Sequence, residues 1–213
     1  MLLQAKNPLL RRSGAAGISF IGSAVDNVGN GGTCIIDLTT ITGIAQNDII
    51  IALAGSTGGT AATPSGYTSI TTDTSPIMSL SYKIQTATPD TSITFWDTGS
   101  NTHSGASLAL VFRGVDTANP LDVALQENAI TPVSNNCCIV VMGVQTGLDT
   151  DIGTITNYLP DPAVQIAGND DNDFTVGAVY QILVGGAGVE EDPNPWSSWT
   201  PSQNYIIALR PAT

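Results

Sequence analysis

Met78-Ser79-Leu80-Ser81-Tyr82-Lys83-Ile84 changes character at every residue. Met78, Leu80, Tyr82 and Ile84 fall on one side of an extended chain, and Ser79, Ser81 and Lys83 on the other. A period of two predicts an antiparallel strand with one packed face and one wet face. Phe174, Val176, Ala178, Tyr180 and Ile182 share a face by the same rule. Asp48–Ala54 and Cys137–Val144 are apolar at consecutive positions, as in central strands covered on both sides. Working outward, strand signals recur at Ile18–Val25, Thr33–Leu38, Asp48–Ala54, Tyr67–Thr72, Ile77–Gln85 and Thr91–Trp96. They continue at Ala106–Arg113, Leu121–Leu125, Cys137–Gln145, Ala163–Ala167, Phe174–Val184 and Tyr205–Arg210. Each is rich in Ile, Val, Thr or Tyr and is bounded by turn residues such as Asn30-Gly31-Gly32, Pro64-Ser65-Gly66 and Gly185-Gly186. No stretch carries a 3.6-residue apolar period with a cap and a stop. The fold class read from this pattern is all-β: an antiparallel β-sandwich, jelly-roll-like, over residues 18–213. No composition break marks a linker, and no internal repeat has a defensible period.

The chain has 213 residues, of which 11% are charged and 42% hydrophobic, with a net charge of -12. So few charges on so apolar a chain argue against a disordered protein, and so few Lys, Glu and Arg argue against a coiled coil or a mostly helical domain. The charge divides sharply. Residues 1–17 hold three of the six cations and no acid, a charge of +3, while residues 18–213 hold the other three cations and all 18 acids, a charge of -15. An extended basic N-terminal arm (1–17) therefore precedes an acidic body. The body lacks the clustered cations that nucleic acid requires. The longest apolar runs are strand-sized, far below the roughly 20 residues of a membrane-spanning helix. The arm does not read as a signal peptide, because Lys6 and Pro8 interrupt its apolar residues and Arg11 and Arg12 follow its leucines. Cys34, Cys137 and Cys138 lie in strand-like runs and read as small buried thiols of a reducing compartment, not a disulfide framework.

A catalytic set is hard to assemble. The single histidine, His103, is followed by Ser104 in a Ser/Thr/Gly-rich turn with no sign of a nucleophile elbow. The acids are mostly Asp at turn positions. Glu190 and Glu191 are adjacent and point apart, which leaves a polysaccharide hydrolase built on Glu127, Glu190 or Glu191 as a distant alternative. No zinc framework exists. Asp170, Asp171 and Asp173 offer hard oxygens for a weak Ca²⁺ candidate but lack EF-hand spacing, and a solvated turn is the simpler reading. Trp196 and Trp199, with Tyr205 after them, are a possible glycan platform, or else plugs at the end of the core. Arg113 is expected to pair with an acid at a strand end, and Asp116 to cap a turn. The expectation is a non-enzymatic protein with no cofactor.

Several segments carry a resemblance. Ala45-Gln46-Asn47-Asp48 with the apolar run to Leu53 is similar to an element of a group of bacteriophage virion proteins. Pro64-Ser65-Gly66-Tyr67-Thr68 is similar to their Pro-x-Gly-Trp-Thr turn, with Tyr67 in place of the Trp. Asn47 stands where they carry Gly. Ala109-Leu110-Val111-Phe112-Arg113-Gly114-Val115-Asp116, followed by Pro120 and Asp122, is the most specific match, and Tyr205–Pro211 resembles their last strand. The resemblance implies a sandwich-fold component of a phage particle, made in the host cytoplasm. A capsid decoration (cement) protein on the virion surface is the leading expectation, with the major capsid protein as partner and a homo-oligomer, a trimer favoured, as its form. No nucleic acid or membrane partner is expected. The arm supplies the grip: Leu2, Leu3, Leu9 and Leu10 for apolar pockets, Lys6, Arg11 and Arg12 for acids. The alternative is a tail or fibre component that binds a host-surface glycan.

Overall fold

Among the described residues, strand-forming side chains spaced by turn residues make twelve strands. In the computed structural model, residues 17–29, 33–58, 62–74, 77–97, 105–146, 158–167, 174–191, 195–196 and 199–213 are described. The strands are β1 (Ser19–Val28), β2 (Thr33–Asp37), β3 (Ile49–Ser56), β4 (Thr68–Thr74), β5 (Ile77–Ile84), β6 (Ser92–Asp97) and β7 (Gly105–Arg113). They continue as β8 (Leu121–Gln126), β9 (Cys138–Thr146), β10 (Leu159–Ala167), β11 (Phe174–Ile182) and β12 (Gln203–Leu209). Every segment read from sequence as a strand overlaps one in the structure. The largest boundary difference is in β10, which starts at Leu159 despite Pro160 and Pro162. It is an edge strand bonded only to β11, where a missing N–H is tolerated, and its register skips between Leu159 and Val164.

The strands form two five-stranded antiparallel sheets and one two-stranded ribbon. The first sheet has the order β1-β7-β3-β5-β4, the second β10-β11-β9-β12-β8, and β2 pairs with β6. Each large sheet comes from one half of the chain, so the chain passes between the sheets once. The sandwich is there; the strand order does not interleave the sheets, so it does not carry the finer jelly-roll description.

Read from its β8 edge, the second sheet runs β8-β12-β9-β11-β10, and the two halves repeat one another strand for strand. In each, the first strand pairs with the last, the last with the central strand, and the central strand with the penultimate one. The repeat extends to register. Ile49 stands between Phe112 and Ile84, and Cys138 between Leu209 and Ile182. Even the irregularity recurs. β1 skips one residue between Phe20 and Gly22 against Phe112 and Val111, and β8 skips one between Leu121 and Val123 against Leu209 and Ala208. The extra residues, Ile21 and Asp122, are equivalent bulge positions. Little of this is written in matching residue types, which explains why no period is visible in the sequence.

Between the sheets, Ile49, Ile51, Leu53, Leu108, Leu110 and Phe112 meet Cys138, Val140, Met142, Phe174, Val176 and Ile207 in one core. Both outer faces are covered as well. Ile36, Ile93 and Phe95 of the ribbon lie over Ile50, Ala52, Ala54, Ala109 and Val111 of the first sheet. Trp196 and Trp199 lie over Ile139, Val141, Ile206 and Ala208 of the second. The extra layers explain why β3 is buried at all eight positions. They also correct the wet face expected of β5. Ser79 and Ser81 share a face with their register partners Ala54 and Ala52, and all four are buried. Their hydroxyls have no hydrogen-bond partner among the described residues. Small side chains here allow a close cover, at the cost of two unpaired hydroxyls.

Close approach also fixes two glycines. A Cβ on Gly55 would overlap the Phe174 ring in the central core, and one on Gly143 would overlap the Trp199 ring in the outer layer. Gly143→Ala is expected to destabilise the fold by about 1–3 kcal/mol through overpacking. Gly17→Ala, with nothing within 4 Å of the new methyl, is the neutral control. Denaturant midpoints of the two variants check this.

Candidate functional site

The segments that carry the resemblance meet at one end of the sandwich. Asn47 adopts a left-handed conformation (φ 71°) and turns the chain into β3. This places Asp48 on the outer face beside the end of β7. Its carboxylate accepts hydrogen bonds from the Ala45 amide at 2.8 Å and from Nε and Nη2 of Arg113, each at 2.8 Å. Arg113 Nη2 also donates to the Gly43 carbonyl at 2.7 Å. This two-pronged pairing and its attraction raise the Arg113 pKa further above its ordinary value. Asp48 is buried, and Arg113 is half exposed.

The second half solves the same problem differently. Register places Cys137 where Asp48 stands and Arg210 where Arg113 stands. With no acid at position 137, Arg210 Nε bonds Asp122 Oδ1 at 3.2 Å, and Asp122 is the bulge residue of β8. Asp122 Oδ2 accepts the Val133 and Ser134 amides at 2.6 and 2.9 Å. The two arginine-bearing ends are then stitched together. Val115 bridges Pro211, the Asp116 amide donates to the Arg210 carbonyl, and the Ala212 amide donates to the Gly114 carbonyl. Asp116 Oδ1 accepts the Ala118 and Asn119 amides, the turn cap read from sequence. Arg113, Asp48, Asn47, Gly114 and Asp116 line an open cleft of about 380 Å³ at this junction.

The Pro64–Thr68 turn is a second tie. Tyr67 Oη and Lys83 Nζ both donate to Asp90, at 3.3 and 2.7 Å, and Lys83 lies 5.5 Å from the centre of the Tyr67 ring. The Asp90 amide donates to Gln85 Oε1 at 2.8 Å. Burial, and then the charge of Asp90, push the Tyr67 phenol well above its ordinary pKa, so it stays a donor. The group borders a small polar pocket of about 200 Å³.

The residues named from sequence as a glycan platform do not make one. Trp196 and Trp199 are buried, edge to face at 4.9 Å, on the outer side of the second sheet. Trp196 Nε1 donates to Asn204 Oδ1 at 3.1 Å. Tyr205, the next residue of β12, faces the opposite way into the central core. A stacking platform needs flat exposed rings on one surface, and these three lie on two faces of one sheet, all covered. The alternative role, core plugs, describes both tryptophans. Cys34, Cys137 and Cys138 are free, buried thiols. Burial pushes Cys34 and Cys137 up to about 12 and Cys138 well above its ordinary value, so none is a ready nucleophile. Among the described residues no group of three or more His, Cys, Asp or Glu is placed to hold a metal ion. The arm residues Leu2, Leu3, Lys6, Leu9, Leu10, Arg11 and Arg12, the Ca²⁺ candidates Asp170, Asp171 and Asp173, and His103 lie outside the described residues.

The sequence foresaw that Arg113 would pair with a strand-end acid but not which acid, since Asp48 is 65 residues away. It did not foresee the Asp122–Arg210 clasp, whose partners lie 88 residues apart. The available signal was an arginine ending each of two apolar strands. What the arrangement defines is a twofold-repeated sandwich with clasped strand ends. Comparison of the chain with protein-family models, with curated proteins and with solved structures found no significant match.

Two outcomes follow. Burial pushes the Asp122 carboxyl up, but hydrogen bonds from Ser134, Val133 and Cys137 outweigh it and lower the pKa to about 2 from an ordinary 3.8. A depressed folded-state pKa gives stability that is complete above the ordinary value and lost as pH falls from about 4 toward 2, here at most about 2 kcal/mol. Asp122→Ala is expected to cost about 2–3 kcal/mol at neutral pH and to flatten the acid limb of the stability curve, read by urea melts at several pH values. All three cysteines are expected to resist alkylation in the native protein and to react on unfolding, counted by mass spectrometry.

Proposed function

We propose that this chain is a structural protein of a phage particle, a capsid decoration (cement) protein that docks on the assembled shell and stabilises it. It would act as a symmetric homo-oligomer, a trimer favoured, with the major capsid protein as partner and the virion surface as its location. The observation that carries the reading is the division of charge: a leucine-bearing arm of +3 ahead of an acidic sandwich of -15. A rigid body with a long apolar, cationic extension suits a protein that grips a larger surface. Each leucine that becomes fully buried contributes roughly 1.5–3 kcal/mol. The resemblance supports it further, because the segments that carry it supply both partners of the Asp48–Arg113 clasp and the Tyr67 that donates to Asp90. Both contacts tie strand ends of the sandwich together.

Removal of residues 1–16 is expected to weaken binding to empty capsids at least tenfold and to lower the temperature at which decorated particles rupture. Co-sedimentation and particle melting measure both. Unchanged affinity and rupture temperature would remove the arm from the mechanism.

A further inference from the structure

The repeat within the fold supplies an internal control, and it exposes a difference at one end of the sandwich. In the first half, the turn into the central strand (Ile41–Asp48) and the segment after β5 (Gln85–Asp90) expose no large apolar side chain. Their counterparts in the second half expose three. Val133 is 71% exposed, Val184 97% and Val189 54%.

These valines stand on a fixed backbone. The Gly188 amide donates to the Pro132 carbonyl at 2.7 Å, the Asn136 amide to the Gly185 carbonyl at 3.0 Å, and the Ala187 amide to Asn135 Oδ1 at 3.2 Å. Ile130 and Glu191 bridge in both directions at 2.9 and 2.8 Å. Gly185 and Gly186 take left-handed conformations (φ 82° and 94°) that the turn requires. These hydrogen bonds hold the Val133 loop beside the loop that carries Val184 and Val189, so three exposed valines stand on one tied pair of loops. Glu190 and Glu191 follow directly and give it an acidic border.

Two facts indicate the occupant. The residues ahead of Gly17 have the complementary chemistry, with Leu2, Leu3, Leu9 and Leu10 interspersed with Lys6, Arg11 and Arg12. Ser19, the first residue of β1, stands opposite Arg113. The Arg113 strand end is stitched to that of Arg210, Arg210 bonds Asp122, and Asp122 holds the Val133 amide. The N-terminal residues therefore join the body at the end that bears the valines. Sixteen residues reach about 50 Å when extended.

We propose that the Val133–Val184–Val189 surface is the seat of residues 1–12 of the same chain, with leucines on the valines and cations toward Glu190 and Glu191. The inference goes beyond the virion reading and does not need it. In a decoration protein this contact is the resting one, which docking on the shell exchanges for another apolar surface.

Hydrogen exchange on the full chain, without capsids, tests it. Segments 130–136 and 183–191 are expected to exchange at least tenfold faster after removal of residues 1–16, and a synthetic 1–16 peptide is expected to restore protection. Val184→Lys in the full chain should reproduce the truncation, and Val25→Lys, on β1, should not. Exchange unchanged by truncation would overturn the proposal. Protection that grows with protein concentration would overturn the same-chain seat.

Discussion

Burial of both faces of both central strands is the constraint on which the rest of the structure depends. β3 and β9 are apolar at consecutive positions, so packing the two sheets face to face satisfies only half of their side chains. Ile50, Ala52 and Ala54 would still face water on one side, and Ile139 and Val141 on the other. The β2–β6 ribbon and the Trp196–Trp199 pair remove that exposure. The result is a sandwich with a covering layer on each side. The features that look odd in isolation follow from it: serines buried in β5, and glycines at 55 and 143 where rings approach the backbone.

The two halves reach this end by the same pairing scheme and different covers. A ribbon serves the first half, and a pair of aromatic rings the second. The clasps diverge in the same way. Each half ends its last strand with an arginine, neutralised by the first residue before the central strand in one half and by the bulge residue in the other. Cys137 stands where the first half has Asp48, and Arg210 bonds Asp122 instead. Asp122 can serve because the bulge, common to both halves, turns one extra side chain toward the outer face. The loops around the second clasp are also those that display valines, so the divergence reaches the surface.

Alternation in Met78–Ile84 and Phe174–Ile182 and unbroken apolar runs at Asp48–Ala54 and Cys137–Val144 made β5, β11, β3 and β9 legible, and runs rich in Ile, Val, Thr or Tyr between turn residues made the others so. They report local side-chain direction, and a strand has only two. The pairing order was not legible, because backbone hydrogen bonds are blind to side-chain identity. Trp196 and Trp199 show the limit most plainly. A tryptophan pair beside a strand reads equally well as a sugar platform or a core plug, and only the apolar outer face of β9 and β12 beneath it decides for the plug.

By itself, then, the amino-acid order determined the class of fold, the positions of the strands, the doubly covered centres and the division of charge between residues 1–17 and the rest. These are consequences of local periodicity and of charge counted along the chain. The tertiary structure alone decided the duplication, the clasp partners and the fate of the aromatic residues. Each of these depends on contacts between residues tens of positions apart, and no local pattern encodes which distant face a side chain will meet.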